Sequence, residues 1–122
     1  MADAYLCRAS GGVKIELLWE NASPTSAFPA QTVAVSLQDY DFVDIELSAD
    51  PKGKQYAVTR CDKNCSIWLC TAAFVQGGAV GYSRCVYLKN EGAEFAYGQS
   101  TGGAPSDIYA IPIAIYGIKG VR

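Results

Sequence analysis

Four thiols lie near enough along the chain to suggest a metal site: Cys61-Asp62-Lys63-Asn64-Cys65, followed by Cys70 and Cys85. Structural zinc sites rest on two tight knuckles of paired ligands, whereas here there is one loose pair, and Cys70 and Cys85 fall inside stretches that read as strands. The thiols therefore read as buried, unpaired cysteines, with a Cys61–Cys65 disulfide in an extracellular setting as the alternative. A cysteine nucleophile needs a base to form its thiolate, and the chain contains no histidine. The carboxylates Asp39, Asp41, Asp44 and Glu46 raise glycoside hydrolysis, which sets a carboxyl of raised pKa against an ordinary one across a sugar cleft. Asp44 and Glu46, however, alternate with Val43, Ile45 and Leu47, so they share the wet face of one strand as ordinary solvated charges. Asp39-Tyr40-Asp41 lacks the ligand spacing of a helix-loop-helix calcium site. Gly77-Gly78 and Gly102-Gly103 are not followed by the lysine and hydroxyl residue of a phosphate-cradling loop, and read as turn glycines. The expectation is no catalytic residue, no metal, no cofactor, and a protein that is not an enzyme.

The elements that position these residues read as strands. Val13, Ile15, Leu17 and Trp19 alternate with Lys14, Glu16, Leu18 and Glu20, and the same period of two returns in Val33, Val35 and Leu37 and in Val43, Ile45 and Leu47. Pro51 and Gly53 mark a hairpin turn into a fourth strand over 55–61. Residues 66–75 form a nearly continuous apolar run, which implies cover on both faces. Gly77 and Gly78 turn this run into a partner strand over 80–88. A short strand surrounds Phe95 and Tyr97, and 98–106 reads as a mobile surface loop. The last strand, 108–118, sets Ile111, Ile113 and Ile115 on one face and Ala110, Pro112 and Ala114 on the other. Pro112 lacks an amide hydrogen and so belongs at an edge or a bulge. With no capped helical period, about eight short strands predict an all-β fold, a single-domain antiparallel β-sandwich or jelly-roll-like barrel.

Composition bounds the rest. At 122 residues the chain is one domain, with 1–12 as an amino-terminal segment and 13–122 as the sandwich. Half of the residues are apolar and 18% are charged, which excludes intrinsic disorder. The longest apolar runs are too short to cross a bilayer, and a formal net charge of -2 gives no general affinity for nucleic acid or an anionic membrane surface. Residues 1–12 carry neither the basic stretch nor the apolar core of a secretory signal, so synthesis in a reducing cytoplasm is expected. Five cysteines, an odd number, fit free thiols better than a secreted disulfide framework. Eight tyrosines and two tryptophans exceed what so small a core needs. Trp19 and Trp68 are expected to fill the sandwich or a subunit seam, and Tyr97 and Tyr109 to be the exposed pair beside the Gly-rich loop.

The segment Leu18-Trp19-Glu20-Asn21-Ala22-Ser23-Pro24-Thr25-Ser26-Ala27-Phe28-Pro29-Ala30-Gln31-Thr32, with Asp39-Tyr40-Asp41, resembles a stretch of small tailed-phage virion proteins from phages of Gram-positive and gut bacteria. Ile115-Tyr116-Gly117-Ile118-Lys119-Gly120 is similar to the ending of the same group. The resemblance implies a virion structural protein, the tip of a tail fibre, a receptor-binding module or a head fibre or capsid decoration. It implies residues 1–12 as the particle attachment, other virion proteins as partners, and a virion location for a chain made in the host cytoplasm without a signal peptide. Fibre and tip proteins commonly close as trimers, so a homotrimer is expected, with Trp68, Ala110, Pro112 and Ala114 as the spare apolar surface at its interface. Tyr97, Gln99, Asp107 and Tyr109 are the candidate receptor-binding residues, with host cell-surface polysaccharide as the ligand.

Overall fold

Alternating apolar and polar residues build eight strands in the computed structural model, which describes residues 13–49, 56–75, 78–101, 103 and 105–120. In chain order they are β1 (Lys14–Glu20), β2 (Gln31–Ala34), β3 (Phe42–Ser48), β4 (Tyr56–Cys61), β5 (Cys65–Val75), β6 (Gly78–Lys89), β7 (Gly92–Ser100) and β8 (Ile111–Lys119). Sheet A has the order β1-β8-β3-β4 and sheet B the order β2-β7-β6-β5, with every pairing antiparallel. The two sheets pack face to face as one all-β sandwich, and among the described residues there is no helix. The expected β3–β4 and β5–β6 hairpins are present as strand pairs, while Pro51, Gly53 and Gly77 lie outside the described residues, as does the segment 1–12.

The core lies between the sheets. Val43, Ile45 and Leu47 of β3, Val86 and Leu88 of β6, Phe95 of β7 and Ile111 and Ile115 of β8 are sealed from solvent. Each such side chain contributes roughly 1.5–3 kcal/mol of hydrophobic free energy. Trp19, Phe28 and Phe95 join sheet A to sheet B through ring contacts of 5.9 Å (Trp19–Phe28), 6.3 Å (Trp19–Phe95) and 5.5 Å (Phe28–Phe95).

Three bulges revise the strict alternation read from the sequence. In β1, Leu17 pairs with Tyr116 and Trp19 with Ile115, so Leu18 is an extra residue. Leu18 and Trp19 both pack on the core, and Leu17, expected inside, is 53% exposed. In β8, Glu46 faces Ala114 and Leu47 faces Pro112, which leaves Ile113 as the bulged residue. Pro112 therefore stands beside a bulge, inside a central strand rather than at an edge. The third bulge, in β7, belongs to the site below.

Ala110, Pro112 and Ala114 are buried within the chain, so they offer no surface to a second copy. Ala114 is paired with Glu20 of β1 and Glu46 of β3 on its two neighbouring strands. The run 66–75 is also corrected. Ile67 and Leu69 face the core, but Ser66, Trp68, Cys70 and Ala72 stand exposed on an outer face that nothing in the described chain covers. Nor is all of 98–106 loop. Gly98 to Ser100 continue β7, and Ser106 returns to bridge Gly98, donating its N–H to the Gly98 carbonyl at 2.8 Å.

Candidate functional site

The outer face of sheet B gathers three exposed aromatic side chains, Trp68, Tyr87 and Tyr97. Antiparallel register places Ser66, Tyr87, Glu94 and Thr32 in one row across β5, β6, β7 and β2, and sets Trp68 opposite Cys85 in the next. Trp68 is 54% exposed, Tyr87 48% and Tyr97 55%. Ala30, Ser66, Cys85, Tyr87, Glu94 and Tyr97 line a shallow groove of about 600 Å³ on this face. Its charges are balanced: Lys89 Nζ sits 4.8 Å from the Tyr87 ring centroid and 3.7 Å from Glu94 Oε1.

Tyr97 points outward because β7 is bulged. Val86 pairs with Phe95 and Arg84 with Gly98, so Ala96 and Tyr97 together oppose Cys85. The device that holds the bulge lies directly beneath it. Arg84 is sealed in the core, in phase with Val86 and Leu88 along β6. Its Nε–H donates to the Ala110 carbonyl at 2.9 Å. Nη1 donates to Phe28 O at 3.0 Å and to Ala96 O, within the bulge, at 2.7 Å. Nη2 donates to Asp107 O at 3.3 Å and to Tyr109 O at 2.8 Å. Every guanidinium hydrogen thus meets a backbone carbonyl, the arrangement a buried cation requires. Burial pushes the Arg84 pKa down to about 10, against the opposing pull of Asp107, so the group remains a cation at neutral pH. Ala110 adopts a left-handed φ of 49°, an uncommon conformation for alanine, while its carbonyl accepts from Arg84 and its N–H donates to Ala49 O at 2.9 Å.

The four expected receptor residues separate. Tyr97 and Gln99 are exposed on β7, Gln99 opposite Ser83. Asp107 and Tyr109 belong to the segment wrapped around Arg84 beneath the sheet, and the Tyr109 ring is half-buried, stacked on Tyr82 at 5.1 Å. Tyr109 is therefore not the exposed partner of Tyr97. That place falls to Tyr87 and Trp68. Gly98 makes this wrapping feasible, since a Cβ there would collide with the Tyr109 carbonyl.

Planar rings beside Ser66, Glu94 and Gln99 suit a ligand with apolar faces and hydroxyl edges, the pattern of a pyranose. Among the described residues no group of three histidine, cysteine or acidic side chains is placed to hold a metal ion, and no helix is long and apolar enough to cross a membrane. No family model matches the chain, and no curated protein matches it.

Proposed function

We propose that the chain is a structural subunit of a phage particle, fibre-like or tip-like, which assembles as a homotrimer and binds glycans of the bacterial surface. The observation that carries this reading is the bare outer face of sheet B: an apolar run that calls for cover, with Trp68, Tyr87 and Tyr97 standing out of it. Trp68, on the edge strand β5, is the contact for a sister copy. Tyr87 and Tyr97, across the groove on β6 and β7, are the contact for sugar rings, with Ser66, Glu94 and Gln99 as hydrogen-bonding neighbours. The resemblance of the Leu18–Thr32, Asp39–Asp41 and Ile115–Gly120 segments to phage virion proteins supports the particle as the setting.

Light scattering on the purified chain tests the assembly, and an array of bacterial cell-wall glycans tests the contact. A trimer that Trp68→Ala breaks into monomers is the expected result. Tyr97→Ala and Tyr87→Ala should each weaken glycan binding about 5- to 10-fold, the equivalent of roughly 1 kcal/mol, with the melting temperature unchanged. A monomer that still binds glycans would point to a free-standing carbohydrate-binding sandwich. A trimer without glycan binding would point to capsid decoration with no receptor role.

A further inference from the structure

We propose that Cys61 and Cys65 close into a disulfide that ties sheet A to sheet B once the chain meets an oxidising medium. Cys61 ends β4, the edge strand of sheet A, and Cys65 begins β5, the edge strand of sheet B. Only Asp62, Lys63 and Asn64 separate them at this crossing. Both side chains are partly buried and pack against the shared core. Each thiol donates to a nearby carbonyl, Cys61 Sγ to Val43 O at 3.7 Å and Cys65 Sγ to Asp62 O at 3.1 Å. The turn is pinned from outside by Lys63 Nζ, which donates to Gln38 O at 2.8 Å. Cys70 and Cys85 face the opposite, outer side of sheet B, so they do not compete for either partner.

Burial, reinforced by the neighbouring Cys65, pushes the Cys61 thiol up to about 12, which keeps it protonated and unreactive near neutral pH. With a small-molecule disulfide such as oxidised glutathione as oxidant, the Cys65 thiolate attacks one sulfur and expels one glutathione thiolate, which takes up a proton. Cys61 then loses its proton, attacks the Cys65 sulfur of the mixed disulfide and expels the second glutathione. Two cysteine thiols and one glutathione disulfide become one protein disulfide and two glutathione thiols. The new bond spans a short loop, and restricting the unfolded chain there raises the melting temperature by about 5 °C.

The test incubates the whole chain with oxidised glutathione, quenches it in acid and digests it with trypsin without reduction. Cleavage after Arg60 and Lys63 should leave the peptide 61–63 attached to the peptide 64–84, with fragmentation placing the link on Cys65. A small dithiol should release the pair and reverse the rise in melting temperature. Cys70→Ser should retain both effects, and Cys65→Ser should lose both. Glutathione adducts that persist on Cys61 or Cys65, a link that maps to Cys70, or a Cys61–Cys65 link with no change in melting temperature would each overturn the proposal.

Discussion

Arg84 shows how one side chain can organise a surface it never reaches. Its five donors hold the segments around Phe28, Ala96 and 107–110 in place, and one of those carbonyls lies within the bulge that turns Tyr97 outward. Replacing it by methionine keeps much of the volume but leaves those carbonyls without donors. Arg84→Met should therefore cost at least about 3 kcal/mol in urea unfolding, since hydrogen bonds to charged groups are worth roughly 1.5–3 kcal/mol each. Arg84→Lys keeps the charge but not the planar fork, so it should recover only a minor part of that loss. Equal stability of Arg84→Met and the parent chain would remove this account. The signal for burial is present in the sequence, because Arg84 keeps the period of Val86 and Leu88. Charge argues against an interior position, and the compensating carbonyls come from residues up to 56 positions away.

At the scale of elements, residues of the segments 18–32, 39–41 and 115–120 fasten strands to one another. The Tyr40 ring lies over Gly117 of β8, where an added Cβ would come within 2.5 Å of it. Lys119 Nζ stands 5.3 Å from the same ring and 3.2 Å from Glu16 of β1. Asp41 donates its N–H to Ile118 O at 2.7 Å and accepts the Gly120 N–H on its carboxylate at 2.8 Å. The Asn21 side chain donates to Pro112 O and accepts the Ser23 N–H, each at 2.8 Å, which closes the turn after β1 against β8. Gly117→Ala should destabilise by about 1–3 kcal/mol through this overpacking. Adding Tyr40→Ala should make the combined loss smaller than the sum of the two, as chemical denaturation of the single and double variants would show. The strands themselves were legible from alternation and turn residues. The bulges at Leu18, Ile113 and Ala96–Tyr97 were not, because an extra residue leaves the local pattern intact and shifts only what it faces across the ladder.

For the molecule as a whole, alkaline pH is the condition to which the fold is most exposed. Cys61 has its pKa raised from 9.0 to about 12 by burial, with Cys65 adding to the effect. Burial also raises Tyr40 and Tyr116, aided in turn by Glu16 and by Glu46, and the hydrogen bond to Glu16 raises Lys119. In each case the folded state holds its proton where the unfolded state has begun to lose it, so stability is intact below the unfolded pKa and falls as pH rises. Arg84, lowered to about 10, acts in the opposite sense only above that pH. The melting temperature should therefore decline between about pH 8 and 10. Cys61→Ser should flatten most of the slope, and an unchanged slope in that variant would show that the thiol is not its source. The sequence by itself determined the all-β architecture and the buried face of β3, because a period of two with one apolar face has a single way to hide from water. Only the tertiary structure decided that Ala110, Pro112 and Ala114 are inside, that Arg84 is in the core and that Trp68, Tyr87 and Tyr97 share one open face. Those outcomes depend on register, bulges and long-range carbonyl partners, which are set only when the sheets pack.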